Sequence, residues 1–390
     1  MQGKVFSLKS YHNVFPFLNE NEMLISAWIA PPHKLNHVSH NFNTLEQYRK
    51  INRLGLNTIY GLYETVQFHK DEVLKALSYA NCESIHYVAR DSRLISEDFI
   101  INHESEIREM IQLGIRGFLV SDEPGIEDFQ QLSQSYKTFI NKFPQQLYYI
   151  NLMPLHATSA QLTYGAWKFD QKASKEVDAQ SYYKRYAETI NTPYISYDFY
   201  PFEHEYPHIR EDYFKQLELI KEIATTYELI PICFIQTCSF GKHVRIPKAH
   251  EILWQVNTSI AYGTKGIQYF TYFLPENNEY EQFKGALIDH QGNETDLYKA
   301  VTQINQWLKK IQHMIINSKV CNITQEKDRI IAQIENQNQR FDFMVNISLD
   351  DQLILNFEQD LDIISMNTQL KSNSYTLSPG EAIIIMKEDL

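Results

Sequence analysis

Eight short β-rich runs alternate with amphipathic helical segments between residues 24 and 314, and this alternation constrains the fold more than any other feature. Eight strand–helix units in about 290 residues is the number found in a (β/α)8 barrel, and the right-handed crossover rule makes such strands parallel. A doubly wound sheet is the alternative, but the first strand–helix turn lacks a G-x-G-x-x-G motif, and eight units favour closure. We therefore predict an α/β fold, a (β/α)8 TIM barrel. The predicted strands are residues 24–30, 57–62, 83–89, 116–121, 147–152, 192–200, 230–236 and 266–273.

A predicted helix follows each of these strands. The first is expected to begin at Thr44, because Thr44 and Gln47 match the capping-box pattern, and to end near Gly55. The predicted helices lie over residues 44–55, 71–80, 103–113, 126–143, 179–189, 211–227, 247–262 and 295–314.

After about residue 320 the hydrophobic pattern changes from helical spacing to strict alternation. Five short apolar segments separated by polar turns predict a small antiparallel β-sandwich of about 70 residues beside the barrel. These segments are residues 330–337, 340–348, 352–357, 362–367 and 382–387. We therefore divide the chain into a catalytic barrel, residues 1–318, and a C-terminal β-sandwich domain, residues 319–390. No low-complexity linker separates them, so we expect a fixed interface.

Charge and cysteine content exclude several classes of partner. The 390 residues include 36 Lys and Arg against 48 Asp and Glu, for a net charge of −12. Such a chain is a poor ligand for polyanions, so we expect neither nucleic acid nor membrane as a partner. The four cysteines form no C-x-x-C pair, no apolar run reaches about 18 residues, and the N-terminus lacks a signal-peptide pattern. We expect a reduced, cytoplasmic protein, and leave open whether it forms a homo-oligomer.

In a (β/α)8 barrel the reactive residues lie at the C-terminal ends of the strands. Here those ends carry carboxylates, aromatic rings and amides, with no phosphate-binding glycines and no Ser–His–Asp set. Carboxylates beside aromatic platforms are typical of glycoside cleavage, in which one acid protonates the leaving oxygen and a second carboxylate faces the oxocarbenium ion. The candidates are Trp28, Tyr63, Glu64, Asp122, Glu123, Asn151, Tyr197, Asp198, Tyr200, Gln236, Tyr269 and Tyr272.

The carboxylates also have purely structural interpretations. Asp122 and Glu123 precede a predicted helix, where anionic side chains stabilise the helix dipole. Asp198 lies between tyrosines and is also explained as a buried carboxylate that accepts hydrogen bonds from their hydroxyls.

Two histidine patterns resemble metal sites. His33, His37 and His40 have helical spacing but lie in a proline-led, loop-like segment. The segment His204–His208 matches H-E-x-x-H by letter, but Pro207 opposes the helix which that motif requires, so we treat the match as chance. We therefore expect a metal-free site without a cofactor.

Several motifs together resemble bacterial (β/α)8 glycoside hydrolases of clan A, such as the family 42 β-galactosidases and their uncharacterised relatives. The motifs are SDEPG (121–125), NLMP (151–154), SYDFYP (196–201), the run at 252–273, GALIDHQGNETDLY (285–298) and PGEAIII (379–385). The resemblance covers most of the chain and implies a sugar-cleaving barrel, in which Glu123 is the acid.

The chain departs from clan A at two positions. The acid glutamate of that clan usually follows Asn, whereas Glu123 follows Asp122, and Gln236 stands where the nucleophilic glutamate of strand 7 is expected. Asp198 then becomes the second carboxylate, since a strand-4 plus strand-6 pair resembles the clan of α-galactosidases. Alternatively, Asp122 with Glu123 resembles the pair of β-hexosaminidases, in which the substrate acetamido group attacks, and SYD resembles the Tyr–Asp of chitinases. A barrel that binds sugar without cleaving it is the remaining interpretation.

We predict a glycoside hydrolase that acts on a short oligosaccharide. Glu123 is the predicted general acid, Asp198 the leading second carboxylate and Asp122 its competitor. We expect the sugar hydroxyls and the charge that develops during cleavage to be bound by Asn151, Tyr197, Gln236 and Tyr269. Tyr63, Glu64 and Tyr200 are also expected to line the site. Trp28 and Tyr272 are the predicted stacking platforms.

Overall fold

Eight parallel strands form a closed barrel in the computed structural model, which describes residues 11–36, 40–166, 176–278, 281–336 and 339–387. Each strand pairs with its neighbour in the order β5-β4-β3-β2-β1-β8-β7-β6. The predicted (β/α)8 barrel is confirmed. The strands are β1 (Leu24–Trp28), β2 (Thr58–Thr65), β3 (His86–Arg90), β4 (Ile115–Asp122), β5 (Leu147–Asn151), β6 (Tyr194–Tyr197), β7 (Ile230–Gln236) and β8 (Gly266–Phe270).

The seam between β5 and β6 closes the barrel with few backbone hydrogen bonds. Leu152 forms a single parallel bridge to Tyr197, and its N–H donates to the carbonyl of Ser196 at 2.9 Å. Below that bridge the Tyr194 hydroxyl accepts the N–H of Ile150 at 2.9 Å and donates to the carbonyl of Tyr148 at 2.6 Å. The Tyr194 side chain thereby provides hydrogen-bond partners for one N–H and one carbonyl group of β5 that would otherwise have none in a buried sheet.

Helices surround the barrel, and most of them lie where the hydrophobic pattern predicts them, although it does not predict those at residues 97–102 and 159–164. They are α1 (Leu45–Leu54), α2 (Lys70–Cys82), α3 (Glu97–Asn102), α4 (Glu104–Gln112), α5 (Phe129–Lys142), α6 (Ser159–Tyr164), α7 (Ala179–Thr189), α8 (Tyr213–Tyr227), α9 (Ala249–Ala261) and α10 (Asp296–Ile315). The predicted capping box of α1 is wrong: Thr44 is extended but its side chain makes no capping bond. Gln47 is buried and donates instead to the carbonyl of Gly292 at 2.9 Å, because a loop at the barrel mouth packs over it.

Aromatic side chains fill the barrel interior. Trp28 of β1 packs against Phe234 of β7 at a ring separation of 5.0 Å and against Tyr60 of β2 at 6.0 Å. Tyr149 of β5 meets the Tyr60 ring at 4.8 Å. All four are at most 3% exposed, so the centre is a packed core with the mouth above it.

The C-terminal strands form one antiparallel hydrogen-bonded sheet, in the order β9-β10-β11-β14-β12-β13. They are β9 (Lys319–Gln325), β10 (Arg329–Glu335), β11 (Arg340–Asn346), β12 (Leu353–Ser365), β13 (Gln369–Leu377) and β14 (Ala382–Met386). Two predicted segments join in β12, where the register shifts between Asn356 and Leu361. The pattern missed β13, because most of its residues are exposed and polar.

One face of this sheet packs on the barrel, and part of the other face is covered by an apolar cluster, as expected of a small β-sandwich. One face packs on α9, where the Trp254 indole donates to the carbonyl of Ile347 at 3.0 Å and the Asn257 amide donates to the carbonyl of Gly380 at 2.8 Å. Gly380 has φ +74°, and a Cβ there would lie 2.5 Å from the carbonyl oxygen of His250. On the other face a second apolar cluster joins β11 and β14 to the β12–β13 hairpin; its buried members are Met344, Leu353, Leu355, Ile363, Leu377, Ile383 and Ile385.

The last barrel helix ends at Ile315 and the first strand of the sheet begins at Lys319. The division into residues 1–318 and 319–390 stays a prediction. Among the described residues, no helix combines the length and the apolar character needed to cross a membrane.

Candidate active site

Three carboxyl groups meet at the mouth of the barrel, at the ends of β4 and β6. Asp122 is the last residue of β4, Glu123 follows it, and Asp198 follows β6. The side-chain amide of Asn151, at the end of β5, donates to Oδ1 of Asp198 at 3.0 Å and to Oδ1 of Asp122 at 3.3 Å. One amide therefore bridges two carboxylates from strands on either side of it.

A chain of buried hydrogen bonds fixes the orientation of the Asn151 amide. Its Oδ1 accepts the hydroxyl proton of Ser196 at 3.1 Å. Since a serine has one hydroxyl proton, the Tyr149 hydroxyl, 2.7 Å away, must donate to Ser196. The Gln268 amide also donates to Ser196, at 3.0 Å. The amide nitrogen of Asn151 is thereby directed at the carboxylates.

The backbone at Glu123 is held in a strained conformation. Its φ is +50°, in the left-handed region that non-glycine residues seldom adopt. The turn is anchored because the N–H of Glu123 donates to the carbonyl of Asn151 at 2.9 Å and the Tyr182 hydroxyl donates to the carbonyl of Pro124 at 2.7 Å. A Cβ on Gly125 would lie 2.4 Å from the backbone nitrogen of Gly165, so the turn packs directly on the end of α6.

Burial raises the pKa of all three carboxyl groups, and neighbouring carboxylates raise those of Glu123 and Asp198 further. Burial first, and then the charge of Asp122, raise the pKa of Asp198 to about 7, although the Asn151 hydrogen bond opposes the rise. Enclosure by protein also raises the pKa of Asp122, which is accessible to water from the mouth, against the opposing effect of Asn151. The pKa of Glu123 is raised well above its usual value by burial, by the charges of Asp198 and Asp122 and by a hydrogen bond to Asp198. Burial and the neighbouring carboxylates thus favour the protonated form of Glu123.

An aromatic wall faces these carboxyl groups. The Tyr200 ring lies 4.9 Å from Phe240 and 5.4 Å from Phe270. Burial raises the pKa of Tyr200, as do the charges of Asp198 and Glu123, so the Tyr200 hydroxyl lies within electrostatic reach of them. The Phe240 ring also packs 6.3 Å from that of Phe283. Of these four, only Tyr200 was predicted.

Strand alternation explains why Phe270 was missed. Gln268 points into the barrel, so Phe270, two positions on, points the same way. Tyr269 lies between them, and its hydroxyl donates to Oδ1 of Asn305 on α10 at 2.7 Å. The alternation around Gln268 was a signal in the sequence that would have selected Phe270.

Two other predicted tyrosines lie among the helices. The ring of Tyr197 is buried, with Cys233 and the α8 residue Tyr213 among the groups near its hydroxyl. Tyr272 donates to the carbonyl of Gln47 on α1 at 3.1 Å. The structure therefore does not bring Tyr197 or Tyr272 to the carboxyl groups. Trp28, 3% exposed, belongs to the barrel core below the mouth.

The remaining predicted residues fasten loops at the rim. Gln236 is fully buried: its amide accepts the N–H of Phe202 at 3.1 Å and donates to the carbonyl of Arg245 at 2.6 Å. Glu64 is also buried and accepts the backbone N–H of His33 at 2.7 Å, with the His33 Nδ1 at 2.8 Å. The Tyr63 hydroxyl accepts the N–H of Glu276 at 2.8 Å.

One cationic side chain at the mouth was not among the predicted site residues. Arg90, at the end of β3, is exposed, and its guanidinium donates to the carbonyl of Leu62 at 3.2 Å. Its charge lowers the pKa of Asp122, against the larger effect of burial. Arg90 therefore favours the ionised form of the most accessible carboxylate.

The histidine patterns give a mixed result. His33 is engaged with Glu64, His40 packs on Phe42 at 4.9 Å, and His37 lies outside the described residues. Elsewhere on the rim, Glu203, His204 and His208 each offer one ligand atom, and these atoms lie within 4.8 Å of one another.

Comparison with known proteins supports the fold. No protein-family model matches the chain, and neither does any curated protein. Among solved structures, a catalytic mutant of Gan42B, a GH42 β-galactosidase from G. stearothermophilus, matches 94% of this chain and 98% of its own at 8% identity, with a TM-score of 0.62. The trehalose-6-phosphate hydrolase TreA of Bacillus licheniformis matches 94% of this chain and 99% of its own at 8% identity, with a TM-score of 0.54.

A β-galactosidase from the psychrophilic Marinomonas ef1 matches 75% of this chain and 60% of its own at 10% identity, with a TM-score of 0.50. The chain thus spans less than two thirds of the length of that protein. Taken together, these matches show that the protein has the barrel fold found in these sugar-cleaving enzymes.

Proposed function

We propose that the protein is a glycoside hydrolase in which Glu123 is the general acid. The observation that supports this is the cluster of Asp122, Glu123 and Asp198 at the mouth, with two of the three carboxyl groups held by the amide of Asn151. The pKa of Glu123 is raised by burial and by the charges of Asp198 and Asp122, which favours the protonated form that a general acid requires. Tyr200, Phe240 and Phe270 supply the apolar surface on which a sugar ring stacks.

The second catalytic group is Asp198 in this proposal, with Asp122 as its competitor. Asp198 lies on the inner side of the barrel, and the amide of Asn151 partly offsets the rise in its pKa. Gln236 does not take part, because its amide is occupied by the backbone of two loops. A neutral amide also cannot form a glycosyl ester.

One contact favours a second candidate, a substrate-assisted N-acetylhexosaminidase type of enzyme. The carboxyl groups of Glu123 and Asp198 share a hydrogen bond. Retaining and inverting pairs stand about 5–5.5 Å and about 6.5–9.5 Å apart, respectively, with the sugar between them. If this contact persists in the complex, the attacking group comes from the substrate, and an aspartate orients its acetamido group.

A panel of nitrophenyl glycosides tests the proposal. The full-length protein is assayed on matched pairs of sugars that differ only in a 2-hydroxyl or 2-acetamido group. Turnover of any of them supports a glycosidase, and turnover confined to 2-acetamido sugars selects substrate assistance. The role of Glu123 is tested on the corresponding unactivated alkyl glycosides, whose turnover should be lost in Glu123→Gln because their leaving group needs the proton. Binding of these sugars without turnover would instead support a carbohydrate-binding barrel.

We also propose a partner, a cofactor requirement and a compartment. The partner is a small carbohydrate, no cofactor takes part in cleavage, and the protein acts in the cytoplasm. The four cysteines, Cys82, Cys233, Cys238 and Cys321, are free, as expected of a protein from a reducing compartment.

A further inference from the structure

We propose that Glu203, His204 and His208 bind one zinc ion at the rim of the barrel, in the loop between β6 and α8. The segment matches H-E-x-x-H by letter, and the structure shows that no helix is needed to bring its histidines together. The first ligand is Glu203, which precedes the motif, and not the glutamate within it. The site is separate from the carboxyl groups of the proposed active site, and the inference does not rest on the proposed function.

The spacing of the three ligand atoms is close to what zinc requires. They lie within 4.8 Å of one another, whereas ligands about 2.0–2.2 Å from a tetrahedral ion are about 3.3–3.5 Å apart. Small rotations of exposed histidine side chains cover that difference. The ring of His204 lies between those of His208, at 5.2 Å, and His243, at 5.0 Å, so imidazoles are concentrated at this point.

The backbone that carries the first two ligands is paired to a second loop. Glu203 forms an antiparallel bridge with Val244, and the N–H of His204 donates to the carbonyl of His243 at 2.7 Å. Gln236 anchors the base of this pairing through hydrogen bonds to the backbone of Phe202 and Arg245. The ligands therefore sit on a pre-formed ribbon, which lowers the entropic cost of assembling the site.

The third ligand is held by contacts on the far side of the same loop. The N–H of His208 donates to the carbonyl of Glu205 at 3.0 Å. The hydroxyl of Tyr206 donates to the carboxylate of Asp350 and lies 2.9 Å from the carbonyl oxygen of Leu349, and the ammonium of Lys248 lies 3.0 Å from the centre of the Tyr206 ring. These contacts tie the loop to α9 and the C-terminal domain.

The donor set points to zinc. Two imidazoles and one carboxylate suit Zn²⁺ better than the oxygen-seeking Ca²⁺ or Mg²⁺. Arg210 donates to Oε1 of Glu203 at 2.8 Å, which leaves the second carboxylate oxygen for an ion and orients it as an outer-shell partner does. Three protein ligands leave one position for water.

Equilibrium dialysis of the full-length protein against zinc chloride, with the bound metal measured by mass spectrometry, tests the site. Exposed Cys82 and Cys321 are replaced by serine throughout, because free thiols also bind zinc. We expect one equivalent of zinc in this background. We expect His204→Gln and His208→Gln each to weaken binding at least about tenfold, and Glu203→Gln to weaken it measurably.

The matched control is His313→Gln, which removes an exposed histidine at the end of α10 and should leave binding unchanged. Circular dichroism confirms that each variant is folded, so a loss of zinc reports a loss of ligands. No bound zinc in the parent protein, or equal binding in the His204→Gln, His208→Gln double variant, would overturn the proposal.

Discussion

The two halves of the barrel mouth differ in how their polar side chains are occupied. On the β4–β6 side, the amide of Asn151 donates to Asp122 and Asp198, Asp198 also bonds Glu123, and Asp122 is exposed at the mouth. On the β7 side, the amide of Gln236 is saturated by loop backbone. A polar residue at a strand end is therefore not evidence of chemistry in itself, because what matters is whether its hydrogen-bonding capacity is already occupied.

Replacing the proposed acid should have the largest effect. Glu123→Gln keeps the shape of the side chain but removes the proton donor, so turnover of a substrate with a poor leaving group should fall by about 10²–10⁴. Steady-state kinetics measures this loss. Glu127→Gln, an exposed change in the turn that follows, is the matched control and should retain full activity. Wild-type turnover by Glu123→Gln would remove Glu123 from the mechanism.

The two aspartates can be ranked on matched substrates. If Asp198 is the second catalytic carboxylate, Asp198→Asn should lower turnover by about 10² or more on sugars with either a 2-hydroxyl or a 2-acetamido group. If the substrate acetamido group attacks, the aspartate that orients it should show its largest loss on acetamido sugars. Full activity of Asp198→Asn on both would leave Asp122 as the competing candidate.

The raised pKa of Asp198 predicts a pH dependence of stability. Its pKa rises from 3.8 to about 7 on folding. The stabilisation that the protonated carboxyl adds to the free energy of unfolding is therefore fully present below about pH 3.8 and is lost as the pH rises through about 7. Asp198→Asn does not titrate, and between pH 5 and 8 it should gain at most about 3 kcal/mol of unfolding free energy relative to wild type. Urea unfolding at both pH values measures the gain. The control Asp360→Asn, at an exposed strand position, should show none.

Restoring a carboxylate at β7 should lower stability without raising turnover. In Gln236→Glu the new side chain cannot donate to the carbonyls of Phe202 and Arg245, which it faces at 3.2 and 2.6 Å. Leaving buried carbonyls opposite an acceptor costs about 1–3 kcal/mol, measurable by urea unfolding. Gln131→Glu, on the exposed face of α5, should change stability far less. A gain in turnover for Gln236→Glu would show that this half of the mouth does reach the substrate.

The aromatic wall should have the smallest effect. Phe270→Leu keeps an apolar side chain but loses the flat face next to Tyr200, so KM should rise by about threefold to tenfold with little change in kcat. Tyr227→Leu, at the last residue of α8 and therefore on the side of the barrel away from the mouth, is the control. An unchanged KM would show that the sugar does not stack on this wall.

Much of the fold was predictable because it depends on local patterns. Helix α7 occupies Ala179–Thr189 as predicted, and strand β7 occupies Ile230–Gln236. One prediction failed because a residue has a choice of partners: Gln47 hydrogen-bonds a distant loop instead of closing a capping box. Another failed for lack of a pattern, because strand β13 has no apolar alternation that would indicate a strand.

The candidate site was predicted in part for the same reason. The strand ends selected Asp122, Glu123, Asn151 and Asp198, which the structure brings together. The prediction of Tyr269 is not supported by its position, because Gln268 points into the barrel and Tyr269, the next residue, points outward to Asn305.

The sequence by itself determined the eight strand–helix units, the small β-domain and the positions of the carboxylates, because hydrophobic period and strand ends are local properties of the chain. Only the tertiary structure decided that Asn151 bridges two aspartates, that Glu123 hydrogen-bonds Asp198, and that His204 and His208 lie together without a helix. These contacts join residues from different strands or across a folded loop. They follow from barrel closure and from backbone conformations such as the positive φ of Glu123, which local propensity does not encode.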